Sequence, residues 1–367
     1  MTSVLFICHS LNLREAIFFY FIGGSIKTDN YFLKSIPKTL KVLMGFRVPL
    51  RVTQYITYRC NLSCRYCARH KSGGMELTTD EVKSLMAAFR KAGTLFWGFN
   101  GGEALVRDDI GDLVDFGKRI GLFVSIATNG TLLVTRYREI RKADVVNISF
   151  EGPKYIHDEL RPRSYDLLCE GVKALSMEGT KFTFTSSVNN RNMDSLGFIL
   201  DFAEKYQTKA VFQPIRVQKE DEAAKSRAYF PTPDRMRKAI DYLLMEKSRG
   251  RPVATSTEFL RQIRASWPDG QPAMRCWAGR LYCSITPEGV VTACCDTLDG
   301  PRRSGATWSP EVAVKDFFSL PDFRCSTCYA SIPLEANIAL SMCLKNPLSA
   351  IRQVASFLPR KCWSSRG

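Results

Sequence analysis

Cys60-Asn61-Leu62-Ser63-Cys64-Arg65-Tyr66-Cys67 places three thiols within one short run, directly behind a β-rich stretch, Val52–Thr57. Three thiolates on one loop cannot fill the four-thiolate shell of an ordinary electron-transfer [4Fe–4S] cube. One iron is left able to bind a ligand that the protein does not supply. A zinc knuckle is the competing reading, but it needs a further ligand nearby and His70 is the only local substitute.

Outward from this loop, β-rich runs recur at helix-length intervals: Thr94–Asn100, Leu122–Ala127, Asp144–Phe150, Lys181–Val188 and Ala210–Ile215. Thr78 and Glu81 form a capping box, Val82, Leu85, Met86 and Phe89 carry a helical pattern, and Gly93 stops it. Further helices are expected near Ile110–Ile120, Tyr165–Met177 and Asp194–Tyr206. The alternation implies a parallel sheet, either open and doubly wound or a partial barrel, and periodicity alone does not choose between them. In both, functional groups gather at the carboxyl ends of the strands.

Those ends carry distinctive short runs. The second strand ends in Asn100-Gly101-Gly102-Glu103, the third in Thr128-Asn129-Gly130, and the fourth in Ser149-Phe150-Glu151-Gly152, followed by His157-Asp158-Glu159-Leu160-Arg161. Glycines let a backbone approach a ligand closely, and Glu103 offers an anionic acceptor for an ammonium. Turn chemistry is an equally serviceable reading of the Asn-Gly and Gly-Pro pairs, and a surface salt bridge is the common fate of an arginine flanked by acids.

The Cys60–Cys67 run, with an aromatic residue just before its last cysteine, resembles the signature of the radical S-adenosylmethionine (SAM) superfamily. Gly101-Gly102-Glu103 is similar to the superfamily's GGE motif. The resemblance covers roughly residues 51–217 and implies an α/β fold, a partial (β/α)6 barrel. It also implies that Cys60, Cys64 and Cys67 hold a catalytic [4Fe–4S] cluster with SAM bound to it. Tyr66 would lie near the adenine, Gly101, Gly102 and Glu103 would receive the methionine amino group, and Arg161 would meet the carboxylate. Thr128, Asn129, Ser149 and Glu151 fall where such a barrel places ligand contacts. Ser187, Asn189 and Gln213 end later strands and are further candidates for the pocket wall. Ala104 stands where many relatives carry proline, and Glu151 where aspartate is common.

A second group of cysteines lies beyond a polar stretch. Cys276, Gly289 and Cys294 form a C-x12-G-x4-C run, and Cys325-Ser326-Thr327-Cys328 follows. This resembles the twitch unit, the shortened relative of the SPASM domain, and implies one auxiliary [4Fe–4S] cluster on Cys276, Cys294, Cys325 and Cys328. Cys283 and Cys295 compete as ligands, and a zinc ribbon is the alternative. The expected organisation is a basic and apolar extension (1–50), the barrel (51–218), linker and helices (219–270), the twitch-like domain (271–335), and a basic amphipathic C-terminal helix (336–367).

Bulk composition permits all of this. With 45% hydrophobic and 24% charged residues, the 367-residue chain reads as a globular protein. Clustered cysteines in a chain of this size favour metal over disulfides and hence a reducing, cytoplasmic compartment. No apolar run reaches the roughly 20 residues that span a bilayer, and no signal peptide is apparent. The net charge of +16 suits anionic partners as well as plain solubility.

The expected chemistry is reductive cleavage of SAM to a 5′-deoxyadenosyl radical that takes hydrogen from a substrate carbon. An electron donor such as flavodoxin or ferredoxin is implied. Oxidation or rearrangement of a small molecule is the leading expectation. A peptide or protein maturase is the alternative, although only about fifty residues precede the barrel, too few for a leader-peptide recognition domain. A third reading lays Phe32–Phe46 and Asn337–Leu358 on the inner face of a membrane, as a peripheral contact presenting a lipid substrate. A non-catalytic iron–sulfur electron-transfer protein is the remaining class, and no nucleic acid partner is expected.

Overall fold

The computed structural model describes residues 29–67, 74–216, 228–268, 274–298, 308–323 and 328–345. His70 and Cys325 fall outside them. Six strands, β1 (Arg51–Tyr55), β2 (Phe96–Asn100), β3 (Phe123–Thr128), β4 (Val145–Ser149), β5 (Phe182–Val188) and β6 (Ala210–Pro214), lie side by side in chain order and parallel. This is the α/β partial-barrel arrangement, and all six strands lie within a few residues of their expected positions.

Period-2 alternation sorts the strand residues between two faces. Val52, Trp97, Val124, Ile126, Val146, Ile148 and Phe184 are buried against the helical layer. Thr53, Ser125, Asn147, Thr185 and Gln213 line a polar interior. The apolar face explains the helices. In α2 (Thr79–Ala92), Val82, Leu85, Met86 and Phe89 are buried, and the Thr78–Glu81 capping box is formed. The outer layer continues with α3 (Ile110–Arg119), α4 (Leu133–Ile140), α5 (Lys154–Leu160), α6 (Tyr165–Met177) and α7 (Leu196–Lys205). Neither α4 nor α5 was legible in the pattern: each has eight residues or fewer and lacks a side-chain cap.

The barrel is closed at the amino ends of its strands. There α1 (Asp29–Leu43) lays Tyr31 edge-on against Phe123 at 5.7 Å, and its hydroxyl donates to the Leu122 carbonyl at 3.1 Å. Val42, Leu50, Phe96, Phe123, Val145, Trp277 and Leu340 form a second apolar cluster that makes this floor.

After α8 (Pro233–Ser248) and α9 (Thr257–Ser266), the cysteine-bearing segment adds β7 (Tyr282–Ile285) and β8 (Val291–Thr292). These strands extend the barrel's own sheet. β7 pairs parallel with β1, β8 pairs antiparallel with β7, and the order is β6-β5-β4-β3-β2-β1-β7-β8. Two helices follow, α10 (Pro310–Ser319) and α11 (Ser331–Lys345).

The boundary expected between residues 335 and 336 therefore falls inside α11. So does the start of the expected surface helix, Asn337–Leu358. From Pro333 to Leu340 every residue of α11 is buried. Its polar residues are bonded internally: Glu335 Oε1 accepts from Ser256 N at 2.9 Å, and Asn337 Oδ1 from Trp277 N at 2.9 Å. A helix enclosed all round is core, not a membrane-lying stripe; residues 346–358 lie outside the described residues. Among the described residues no helix is long and apolar enough to cross a membrane.

Candidate active site

Beyond Tyr55 the chain leaves the sheet and forms the cysteine loop. Cys67 N donates to Cys64 O at 3.1 Å, closing a turn, and Arg65 N donates to Leu160 O at 3.0 Å, tying the loop to α5. Asn61, within the loop, braces it against the turn after β3, donating to Thr131 Oγ1 at 2.7 Å and accepting from Asn129 Nδ2 at 2.8 Å.

The loop also rests on the Gly101-Gly102 backbone. Gly102 N donates to Thr57 O at 2.8 Å and Glu103 N to Arg59 O at 2.9 Å. A Cβ at Gly102 would lie 2.4 Å from the carbonyl oxygens of Tyr58 and Arg59. The close approach that this glycine permits is thus to the cysteine loop.

One cavity of about 240 Å³ gathers most of the residues singled out from sequence: Cys60, Cys64, Tyr66 and Cys67 from the loop, with Gly101, Gly102 and Glu103 opposite. Thr128, Asn129, Ser149, Arg161, Ser187 and Gln213 complete much of its wall. Two expected residues sit elsewhere. Asn189 is buried in a turn, where its Oδ1 accepts from Arg191 N at 2.9 Å. Glu151 is fully buried behind the wall.

Glu151 is a hub. Its Oε1 accepts from Tyr66 Oη at 2.7 Å and from Arg161 Nε at 3.0 Å, and its Oε2 accepts from Ser187 N at 3.1 Å and Asn192 Nδ2 at 3.2 Å. Arg161 consequently points its guanidinium into the cavity, with Nη1 3.8 Å from Cys64 Sγ and the guanidinium carbon 5.6 Å from the Tyr66 ring centre. This is a buried ion pair, not the surface bridge weighed above.

His157 sets the geometry from below. Burial, reinforced by Arg161, pushes its pKa down to about 3, so the ring is neutral. Its Nδ1 accepts from Glu151 N at 3.2 Å, which leaves Nε2–H to donate to Ser164 Oγ at 3.0 Å; that hydroxyl donates to Arg161 O at 2.6 Å.

Across the cavity, Glu103 accepts from Leu105 N at 3.0 Å, Thr128 Oγ1 at 2.8 Å and Asn129 N at 2.6 Å. Burial pushes its carboxyl pKa up, against the pull of these donors and of Arg161. Burial likewise pushes the Cys64 thiol up to about 11. A metal centre, which displaces thiol protons, is the usual way to stabilise such thiolates. The donor set fits a cluster with an amino-acid ligand: three thiols, a carboxylate wall for an ammonium, and a guanidinium wall for a carboxylate.

A second cavity of about 260 Å³ shares Tyr55, Asn100, Ala127, Ser149, Gln213 and Arg216 with the first and runs through the barrel interior to Tyr282, Cys294 and Cys295. Among the described residues, hydroxyl and amide groups dominate its polar wall, with Arg51 and Arg216 but no carboxylate.

At its far end Cys276 Sγ lies 3.7 Å from Tyr282 Oη. Burial, then the neighbouring Cys276, Cys328 and Cys294, push that hydroxyl's pKa well above its usual value. Cys276 thus contacts this tyrosine, and Cys294 lines the cavity beside it. Gly289, with φ of +84°, makes the tight connection between β7 and β8, where a Cβ would lie 2.2 Å from Trp308 Nε1. Cys283 borders the same cavity, but it is 2% exposed and packs in the apolar core with Val52, its register partner on β1. Cys295 Sγ lies 3.3 Å from Arg216 Nη1, and Asp296 pairs with the same guanidinium. The Cys294, Cys295 and Asp296 ligand atoms lie within 4.8 Å of one another.

Asn61, Arg216 and Tyr282 are the site residues that sequence reasoning missed. Only Arg216 carried a usable signal, its place just past the carboxyl end of β6.

A family model described as the radical SAM superfamily matches residues 55–203. Residues 55–203 are a radical SAM domain. Mycofactocin maturase MftC of Mycolicibacterium smegmatis is 27% identical over 260 residues, 68% of this chain and 65% of that protein. PqqA peptide cyclase of Rhodopseudomonas palustris is 36% identical over 124 residues, 32% of this chain and 33% of the cyclase. The chain thus spans less than two thirds of either relative. Among solved structures, Streptococcus suis SuiB bound to precursor peptide SuiA superposes with a TM-score of 0.60 at 15% identity, covering 80% of this chain and 70% of that one. At that identity the likeness is one of fold.

Proposed function

We propose that this radical SAM protein is an enzyme that cleaves SAM reductively and modifies a peptide. The observation that carries the reading is the convergence of Cys60, Cys64, Cys67, Glu103 and Arg161 on one cavity, which opens into an interior ending at a second cysteine group. The chemistry that a [4Fe–4S] cluster supplies when bound there is one-electron cleavage of SAM to methionine and a 5′-deoxyadenosyl radical. Cys60, Cys64 and Cys67 would hold that cluster. Glu103 takes the methionine ammonium, Arg161 its carboxylate, and Tyr66 covers the adenine side. Glu151 and His157 fix Arg161. The enclosed interior excludes water and holds the reacting carbon close. Cys276, Cys294 and Cys328, with Cys325, would hold an auxiliary cluster, and a flavodoxin or ferredoxin would serve as electron donor.

A peptide substrate is preferred over the small molecule expected from sequence because the cyclase and the SuiB complex are both named for peptides. The small-molecule reading keeps one supporting observation, an interior cavity of only about 260 Å³.

Anaerobic reconstitution with iron and sulfide, followed by dithionite and SAM, should yield 5′-deoxyadenosine, lost in Cys64→Ala. With an extract of source cells grown in D2O as substrate mixture, the peptide reading expects deuterium in the 5′-deoxyadenosine, abolished when the extract is first digested with protease. Label that survives digestion returns the assignment to a small molecule. No 5′-deoxyadenosine from a cluster-loaded protein would remove the enzymatic reading.

A further inference from the structure

Helix α1 plugs the closed end of the barrel with one face only. On a helical wheel of about 100° per residue, Tyr31, Ser35 and Val42 point toward the barrel, and Ser35 and Val42 are fully or nearly buried. The opposite arc is apolar and exposed: Leu40 is 52% exposed and Met44, one turn on, 68%, with Phe46 just past the helix at 62%. Pro37 is exposed on the same arc. The next arc of roughly 60° carries Lys34, Lys38 and Lys41, and Lys34 and Lys41 are exposed. From residue 29 to residue 51 the chain has five cations and a single acid, Asp29.

Large side chains this exposed, side by side and rimmed by lysines, are unusual on a surface that faces only water. The combination suits an interface in which apolar groups enter the headgroup–acyl boundary while ammonium groups meet anionic headgroups. We propose that the exposed face of α1, with Phe46, docks on an anionic lipid surface.

The geometry fixes the orientation. Tyr31 contacts Phe96 and Phe123, the first residues of their strands, whereas Asn100 and Thr128 at the other ends of those strands line the thiol cavity. Strands of five or six residues rise about 3.3 Å per residue, so the docked face and the thiol cavity lie roughly 17 Å or more apart. The cavity then faces the aqueous phase. The contact is a tether, and a lipid lying in that surface is not presented to the thiols.

The test uses the full-length reconstituted protein. Vesicles of phosphatidylcholine with one quarter phosphatidylglycerol should co-sediment it about thirtyfold better than phosphatidylcholine alone, the two exposed lysines setting the scale. Leu40→Ser/Met44→Ser/Phe46→Ser should abolish that binding while circular dichroism and iron content stay unchanged; Met177→Ser, 89% exposed on α6, is the matched control and should bind as wild type. A Phe46→Trp protein should gain fluorescence quenching by brominated lipid. Equal binding to both vesicles, or a triple variant that sediments like wild type, would overturn the proposal. So would a triple variant that converts a dimer to a monomer without losing vesicle binding, since that assigns the face to a second copy of the chain.

Discussion

His157 shows how much of the site depends on a residue that never reaches the cavity. The neutral ring accepts from the Glu151 backbone through Nδ1, and through Nε2 and Ser164 it steadies the Arg161 carbonyl. Its folded pKa of about 3 lies far below the ordinary histidine value. At pH above about 6.5 the ring is neutral folded or unfolded, and contributes no pH dependence. As pH falls through 6.5 the unfolded chain takes a proton that the folded ring refuses. Stability is then lost at about 1.4 kcal/mol per pH unit, roughly 2 kcal/mol between pH 6.5 and 5. Urea denaturation at those two pH values should show this loss in wild type and a clearly smaller one in His157→Asn, which keeps an acceptor for Glu151 N. Equal losses in the two proteins would assign the dependence to other groups. At this scale the sequence was legible wherever a residue lines the cavity, because Cys60, Glu103 and Arg161 sit in recognisable short runs. It was less so for the supports: nothing in the chain announces that Asn192 reaches back to Glu151, or that three cysteines 6 to 46 residues away act on Tyr282.

Among elements, the six barrel strands were readable because each is a β-rich run at helix-length spacing, with apolar residues such as Val52, Trp97, Val124, Val146, Phe184 and Phe212 turned to the helical layer. The short α4 and α5 were not, since seven or eight residues hold about two turns of periodic signal. The membership of β7 and β8 in the barrel sheet was also hidden, because strands of four and two residues carry little pattern of their own: β7 gains its place from tertiary contact with β1, and β8 joins only through β7. The junction most exposed to a single change is that between the cysteine loop and the end of β2. An added Cβ at Gly102 meets two backbone carbonyls at 2.4 Å, and backbone cannot step aside as a flexible side chain would. Gly102→Ala should cost about 2–3 kcal/mol and displace the loop, so that iron retained after reconstitution falls along with the melting temperature. Gly179→Ala is the comparison, since its φ of +67° is strained for alanine but its Cβ meets nothing within 4 Å. It should lose about 1 kcal/mol and keep its iron. A Gly102→Ala protein that loads iron like wild type would mean the loop has another way to reach its place.

For the molecule as a whole, the consequence of the sheet topology is that two cysteine groups far apart in sequence face one continuous interior. β7 pairs with β1, so the Cys276–Cys295 segment is joined directly to the strand that launches Cys60–Cys67. If both proposed clusters form at the ends of that interior, reconstitution should load about eight irons per chain. Replacing Cys60, Cys64 and Cys67 by alanine together should leave about four, with the visible absorption of an intact cluster, and Cys276→Ala should remove the complementary share. Cys283→Ala separates ligand from neighbour. Its thiol is 2% exposed and packed in the apolar core, so the substitution should lower stability by about 1–2 kcal/mol through a small cavity while iron content stays at the wild-type level. Loss of half the iron in Cys283→Ala would put that sulfur in the coordination sphere. Iron that never exceeds about four in wild type, and vanishes with the first three cysteines, would instead leave Cys276, Cys294 and Cys328 as thiols, with no redox partner at that end of the barrel.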